Sequence, residues 1–187
     1  ILASGQPDFP FMLCWANENW SRNWDGKFRN ILIEQHYSEE DDIEHMRYLC
    51  SKVFQDTRYI RIDGKPVFAI YRSNFFPNMK HTIDVWRKVA KEEYGIELYL
   101  IRVENEPDFG PKYLDCGFDS AMDFQPLLMG EFNAWWKNLP FRIMNHLFKG
   151  KYQWFNKHFS YASYVNYRIK KPLADYNCFP CVSPGWN

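Results

Sequence analysis

The sequence carries no surplus of either charge, no long apolar run and no signal-peptide pattern at its start. Lysine plus arginine and aspartate plus glutamate number 23 each, so the chain lacks the basic face that nucleic-acid binding requires. No apolar stretch reaches the length of a membrane span. We therefore expect neither a nucleic-acid partner nor a membrane span, and we expect a cytoplasmic location.

The sequence also lacks the familiar motifs of nucleotide, metal and nucleophile chemistry. It contains no GxGxxG, P-loop, GxSxG or HExxH, and no DxD of the kind that metal-dependent sugar-nucleotide transferases use. The five cysteines are scattered, which favours free buried thiols in a reducing compartment. Cys178 and Cys181 form a single CxxC, whereas a structural zinc site of this type needs two. We expect no metal and no cofactor.

The most informative segment that is present, Phe11–Gly26, starts as an apolar strand and then turns polar and aromatic. Aromatic rings stack on the C–H faces of sugars, while amides and carboxylates hydrogen-bond to sugar hydroxyls. In a core strand, each of these buried polar groups would need a hydrogen-bond partner, so a buried strand does not account for them. We interpret the segment as a sugar-binding surface, with loop packing as an equal alternative for its later tryptophans. The candidate residues are Trp15, Asn17, Glu18, Trp20, Trp24 and Asp25.

Apolar runs typical of strands alternate with helical patterns along the chain. Strands are predicted at Phe11–Ala16, Pro66–Tyr71, Glu97–Val103, Phe118–Phe124 and Phe179–Val182. Helices are predicted after an N-cap at Ser38, around Ile83–Ala90 with Gly95 at its end, and at Lys112–Cys116, Phe141–Phe148 and Tyr161–Lys170. This order predicts an α/β protein with a parallel sheet, either a doubly wound sheet or a (β/α) barrel.

Polar residues follow several of the predicted strands, which favours the barrel because its strand ends converge on one face. Beyond the first segment, these candidates are Tyr71, Arg72, Glu104, Asp123 and Gln125. Tyr71 and Arg72 could bind a sugar hydroxyl or an acidic sugar. Alternatively, they could form an ion pair with a carboxylate at the end of a strand. Asp123 and Gln125 resemble a pair of side chains that hydrogen-bond to a ligand. It is equally consistent with the sequence that they cap the next loop.

Glu18 and the pair Glu104/Glu106 are the strongest candidate acids. Glycoside cleavage commonly uses two carboxylates that flank the scissile bond. The alternative, which the residues by themselves favour, is that Glu18 and Glu104 only hydrogen-bond to a ligand or to neighbouring loops.

Four stretches carry a resemblance to a known family: PDFPFMLCWANENWSRNWDG, ILIEQHYSEEDDIEHMRYL, DTRYIRIDGKPVFAIYR and the final VSPGWN. Together they resemble the WbsX-like family, bacterial proteins named as glycosyltransferases of surface-polysaccharide loci. That family is in turn similar to the family 99 glycoside hydrolases, which are endo-acting α-mannosidases and mannanases. The resemblance covers nearly the whole chain, is strongest from Pro7 to Arg72 and weakens through Gly130–Lys171.

The resemblance implies a (β/α)8 TIM barrel with a glycan site at the carboxyl ends of its strands. It further implies that residues 1–187 form a single partial barrel domain, an interior fragment with about five strands. On this view the first strands and the last strand are missing, and residues 130–171 are an insertion.

In the hydrolase relatives, the catalytic carboxylates lie in a Glu-Trp-x-Glu segment that this chain lacks. The resemblance therefore implies that the catalytic residues lie beyond Asn187 and that the strand-end acids bind substrate. The expected function is a glycoside hydrolase acting on α-linked, mannose-type polysaccharide, with this fragment inactive alone. The alternatives are a glycosyltransferase of surface-polysaccharide (O-antigen) synthesis and a non-catalytic glycan-binding barrel. In each case the expected partner is an oligo- or polysaccharide.

Overall fold

The computed structural model describes residues 2–22, 27–104, 110–125, 143 and 161–182. The chain divides into two compact units. The first is Ile1–Phe124 together with Tyr176–Cys181, and the second is Gln125–Asp175 together with Val182–Asn187. Almost all of the candidate residues that the structure describes belong to the first unit.

A mostly parallel sheet forms the centre of the first unit. Its strands and those of a separate hairpin are, in chain order, β1 (Leu13–Trp15), β2 (Trp20–Arg22), β3 (Lys27–Ile33), β4 (Arg61–Ile62), β5 (Lys65–Ile70), β6 (Tyr99–Glu104), β7 (Ser120–Asp123) and β8 (Cys178–Pro180). The spatial order is β1-β5-β6-β7-β8, and each neighbouring pair is parallel. Strand β4 pairs antiparallel with β5. Within the described part of the chain, β2 and β3 pair with each other and with no other strand. The predicted α/β class with a parallel sheet is therefore confirmed.

Helix α1 (Glu39–Tyr48) begins where its cap predicted. The Oγ of Ser38 accepts a hydrogen bond from the backbone N–H of Asp41 at 3.2 Å, and acids fill the first turn, where the helix dipole favours them. The helix continues into a π-helical turn at Leu49–Val53. The helix and this turn bury Met46, Leu49, Cys50, Val53 and Phe54, and Ile43 is partly buried against them.

Helix α2 (Met79–Tyr94) connects β5 to β6. Gly95 ends it in the left-handed conformation, with φ of 66°, as predicted. Trp86 of this helix is completely buried and packs against the sheet residue Phe68. The N-cap at Asn78, whose Oδ1 accepts from the His81 N–H at 3.1 Å, was not predicted.

The two faces of the sheet carry separate apolar clusters, as expected of parallel strands that are covered on both sides. Alternate residues along each strand point to opposite faces. The face toward α1 and α2 buries Phe68, Ile70 and Leu100. The opposite face buries Val67, Ala69, Ile101 and Val103.

Several shorter elements also match the sequence. Asp63-Gly64, a dipeptide typical of tight turns, joins β4 to β5, and both residues have positive φ, 50° and 78°. The predicted helix at Lys112–Cys116 is a 3-10 helix over Pro111–Cys116. The strand predicted at Phe179–Val182 is present as β8, which covers Cys178–Pro180 and ends before Cys181.

Strand β1 differs from the buried strand predicted at Phe11–Ala16. It covers only Leu13–Trp15, and Leu13 and Cys14 are exposed. The reason is its place at the end of the strand order, with no neighbour on its outer side among the described residues. The prediction of buried thiols is thus correct for Cys50 and wrong for Cys14, although all five cysteines are free.

The second unit contains helix α3 (Tyr161–Lys170), which confirms the helix predicted there. The buried hydroxyl of Tyr164 donates a hydrogen bond to the side-chain oxygen of Gln125. The helix predicted at Phe141–Phe148 lies outside the described residues apart from Ile143, as does most of residues 130–171. The insertion therefore stays a prediction.

Within the parts of the chain that the structure describes, no helix is both long enough and apolar enough to cross a bilayer.

Candidate functional site

The carboxyl ends of the parallel strands bring the candidate residues to one edge of the sheet. Trp15 is the register partner of Ile70, and Ile70 is the partner of Arg102 in the next strand. Glu104 and Asp123, the last residues of β6 and β7, are partners too. Residues that follow β1 and β5 therefore lie side by side at this edge.

Asn17 joins the loop after β1 to the loop after β5. Its side chain is completely buried, at 0% exposure. Its Oδ1 accepts the backbone N–H of Arg72 at 2.8 Å, and its Nδ2 donates to the Arg72 carbonyl oxygen at 2.8 Å and to the Tyr37 hydroxyl at 3.0 Å. The Tyr37 hydroxyl donates in turn to the Asn17 carbonyl oxygen at 2.7 Å. Every polar atom of the Asn17 side chain is therefore used to hold the two strand ends together.

The Tyr37 hydroxyl is protonated at neutral pH, and burial makes its ionisation still less favourable. Burial raises the pKa of this group above its ordinary value, and the nearby carboxylates of Glu18 and Asp42 act in the same direction. The hydroxyl thus serves as a fixed hydrogen-bond donor at the wall of the site.

Glu18 and Arg72 form an ion pair next to this junction. The Nε of Arg72 donates to the Oε1 of Glu18 at 2.7 Å. The guanidinium also lies over the rings of Tyr71 and Phe75, 4.9 and 5.8 Å from their centroids. The ion pair that the sequence left open for Arg72 is therefore present, and it orients Glu18 at the rim.

A cleft of about 590 Å³ opens at this edge, within the usual size range of small-molecule sites. Its lining consists of amides, one carboxylate and two aromatic rings: Asn17, Glu18, Asn19, Gln35, Tyr37, Asn74 and Phe75. The Phe75 side chain is 47% exposed, so part of its surface faces solvent. Amides and a carboxylate can pair with hydroxyls, and an open ring can stack on a sugar face.

Five residues of this cleft were not among the predicted candidates: Asn19, Gln35, Tyr37, Asn74 and Phe75. Asn74 and Phe75 come shortly after β5, two and three residues beyond Arg72, so the prediction from strand ends could have been extended to them. Gln35 is brought in by a backbone contact, because its N–H donates to the Asn19 Oδ1 at 2.8 Å. No local sequence pattern predicts the contact between Gln35 and Asn19.

The predicted tryptophans lie in different surroundings. The ring of Trp15 packs on the helix side of the sheet, 4.5 Å from the ring of His45 and 6.0 Å from that of Trp86. Trp20 is in β2 and is 60% exposed. Trp24 and Asp25 lie outside the described residues.

Glu104 lies at the same sheet edge in a separate, buried cluster. Its Oε1 accepts hydrogen bonds from Arg102 at 2.8 Å, from the Tyr176 hydroxyl at 2.6 Å and from the Gly110 N–H at 3.2 Å. Arg102 is 0% and Glu104 5% exposed. The Cys178 thiol lies 3.9 Å from the other carboxylate oxygen, and burial raises its pKa to about 11, so the thiol is protonated at neutral pH.

The remaining candidates are not brought into the cleft. Tyr71 packs on the opposite sheet face, with its ring 5.7 Å from that of Phe124. Asp123 stands beside Glu104 in the register, whereas Gln125 belongs to the second unit. Glu106 lies outside the described residues. No group of three or more metal-binding side chains occurs among the residues that the structure describes.

Fold and site together define an α/β protein with a polar cleft at the carboxyl edge of a parallel sheet. The model of the family described as "Glycosyltransferase WbsX" matches residues 1–187, and the chain belongs to that family. The family predicted from the sequence motifs is thus confirmed, whereas a relation to family 99 glycoside hydrolases stays an expectation.

Two curated relatives, both described as "Uncharacterized protein WxcX", come from strains of Xanthomonas campestris pv. campestris. The protein of strain B100 is 30% identical over 178 residues, and that of a second strain is 29% identical over the same length. Each alignment covers 95% of this chain but 24% of the relative, so the chain spans about a quarter of their length. No solved structure matches the chain.

Proposed function

We propose that this chain is the glycan-binding part of a larger glycosyltransferase that works in the assembly of a surface polysaccharide. The observation that carries the proposal is the cleft of about 590 Å³ at the ends of β1 and β5. The amide side chains offer both donors and acceptors, which is what the many hydroxyls of a glycan need. The remaining candidates in Phe11–Gly26 and at the ends of β6 and β7 are proposed to support this site.

Two features of the cleft favour a glycan over other ligands. The Phe75 ring is accessible next to the amide of Asn74, so stacking and hydrogen bonding are available side by side. Its lining among the described residues contains one carboxylate, Glu18, and no lysine or arginine. A largely uncharged polar lining suits a neutral sugar better than a polyanion.

Transfer is preferred over hydrolysis because of the family description. The sequence motifs led to hydrolysis of α-linked mannose-type glycans as the first expectation, with transfer as the alternative. The family that matches the whole chain is described as a glycosyltransferase, which supports the alternative better. The reacting carboxylates or other catalytic groups remain unassigned in this chain.

We also propose that the parallel sheet is part of a (β/α) barrel. All five parallel strands end at the same edge, where the cleft lies, as they do in barrel enzymes. The much greater length of the curated relatives leaves room for the other strands of such a barrel.

Product analysis tests the proposed reaction. The full protein that contains this chain is incubated with labelled sugar nucleotides and oligosaccharide acceptors, and separately with α-mannan oligosaccharides alone. We expect elongated products that require the sugar nucleotide. Shortened α-mannan chains without any elongation would contradict transfer and restore hydrolysis. Glycan binding with neither product would indicate a non-catalytic barrel.

A further inference from the structure

Glu18 is the one carboxylate in the lining of the cleft among the residues that the structure describes. Its Oε1 accepts the hydrogen bond from Arg72, whereas its Oε2 makes no hydrogen bond with another described residue. The side chain is 39% exposed, so a substrate hydroxyl can reach it. Glu104, a second acid at this edge, is 5% exposed and held in its own cluster. A substrate in the cleft would therefore meet Glu18.

The backbone on both sides of Glu18 is anchored. The Asn17 side chain before it is bonded to the Arg72 backbone, and the Asn19 side chain after it accepts a backbone N–H from the loop after β3 at 2.8 Å. The N–H of Glu18 itself donates to the Ala16 carbonyl oxygen at 2.9 Å. A carboxylate that stands between anchored residues keeps its position without a substrate, which is what a catalytic group needs.

The Arg72 guanidinium brings this carboxylate and the Phe75 ring together. It donates from Nε to Glu18 at 2.7 Å, and its central carbon lies 5.8 Å from the centroid of the Phe75 ring. The ring is 47% exposed and lines the same cleft. A sugar that stacked on the exposed part of the ring would therefore place its hydroxyls beside Glu18.

We propose that Glu18 is the catalytic base of glycosyl transfer, an assignment that rests on the proposed function. The carboxylate takes the proton of the acceptor hydroxyl while the hydroxyl oxygen bonds to C1 of the donor, a sugar nucleotide. The bond from C1 to the donor's phosphate oxygen breaks, and the nucleoside diphosphate leaves with that electron pair. Because the oxygen attacks opposite the leaving group, the configuration at C1 inverts. The resemblance to hydrolases instead places the catalytic residues beyond Asn187.

Steady-state kinetics of the full protein that contains this chain, with a sugar nucleotide and an oligosaccharide acceptor, test the assignment. Glu18→Gln keeps the shape of the side chain but removes the base, so kcat should fall about 100-fold or more while KM for the acceptor changes little. Formate should restore part of the activity of Glu18→Ala, because it supplies a small carboxylate. Glu34→Gln, which changes an exposed acid outside the cleft lining, should turn over like the parent.

Product stereochemistry and thermal unfolding complete the test. The product of the parent should show inverted configuration at C1 by NMR, and Glu18→Gln should unfold at nearly the parental temperature because the side chain is partly exposed. A kcat of Glu18→Gln within about tenfold of the parental value overturns the assignment but leaves the proposed function standing. So does retained configuration at C1, or a loss confined to KM, which would make Glu18 a substrate contact. A parent that elongates no acceptor overturns both.

Discussion

Glu104→Ala is expected to lower the free energy of unfolding by about 3–5 kcal/mol, because it breaks a buried ion pair. The carboxylate accepts from Arg102, Tyr176 and Gly110, and its loss leaves the completely buried guanidinium without this counter-charge. Denaturant titration of the variant and its parent measures the difference.

An exposed ion pair of similar length provides the matched control. Lys91 and Glu97 are 2.7 Å apart at the surface, so Glu97→Ala should change stability far less than Glu104→Ala. The double variant Arg102→Met/Glu104→Leu should recover most of the loss, since it leaves no buried charge behind. Equal effects of Glu97→Ala and Glu104→Ala would show that the buried pair has no special role.

Asn17→Ala is expected to lower the free energy of unfolding by about 3 kcal/mol, because it leaves buried backbone groups unpaired. The N–H and the carbonyl oxygen of Arg72 both lose their partner in the Asn17 side chain. The loops after β1 and β5 would separate, and glycan binding at the cleft should fall with them. Thermal and denaturant unfolding measure the stability, and a binding titration measures the second effect.

Two variants separate this role from a general effect of polarity. Asn17→Asp keeps the oxygen that accepts from the Arg72 N–H, but it places a second oxygen against the Arg72 carbonyl, where the Asn17 Nδ2 donates. We therefore expect it to lower the free energy of unfolding about as much as Asn17→Ala. Asn19→Ala changes an exposed amide with a single described partner, and should cost less than about 1 kcal/mol. A stable Asn17→Ala protein would contradict the assigned junction.

The regular elements of the fold could be predicted because their signals are local. Ser38 caps α1, Gly95 ends α2, and Asp63-Gly64 turns the chain into β5, each through the chemistry of one or two residues. The exposure of β1 could not be predicted in this way. An apolar edge strand and an apolar central strand have the same sequence pattern, and only the strand order tells them apart.

The candidate site was predicted in part, for a related reason. Position after a strand correctly brought Asn17, Glu18 and Arg72 to one edge, because parallel strands end together. It could not distinguish a side chain that turns to solvent from one that turns inward. Glu104 turns into a buried cluster with Arg102, and Trp15 turns toward the helices. The direction of a side chain at a strand end depends on its packing against residues that are distant in sequence.

The central claim, that the cleft at the ends of β1 and β5 binds a glycan, is tested most directly by calorimetric titration of cleft variants. The full protein is titrated with repeat-unit oligosaccharides of the host's surface polysaccharide and with α-mannan oligosaccharides. We predict that Phe75→Ala weakens binding about tenfold through the loss of ring stacking, and that Asn74→Ala weakens it as well. Phe9→Ala, which removes an exposed ring outside the cleft, should bind like the parent. Binding of a glycan that is unchanged in both cleft variants would contradict the account.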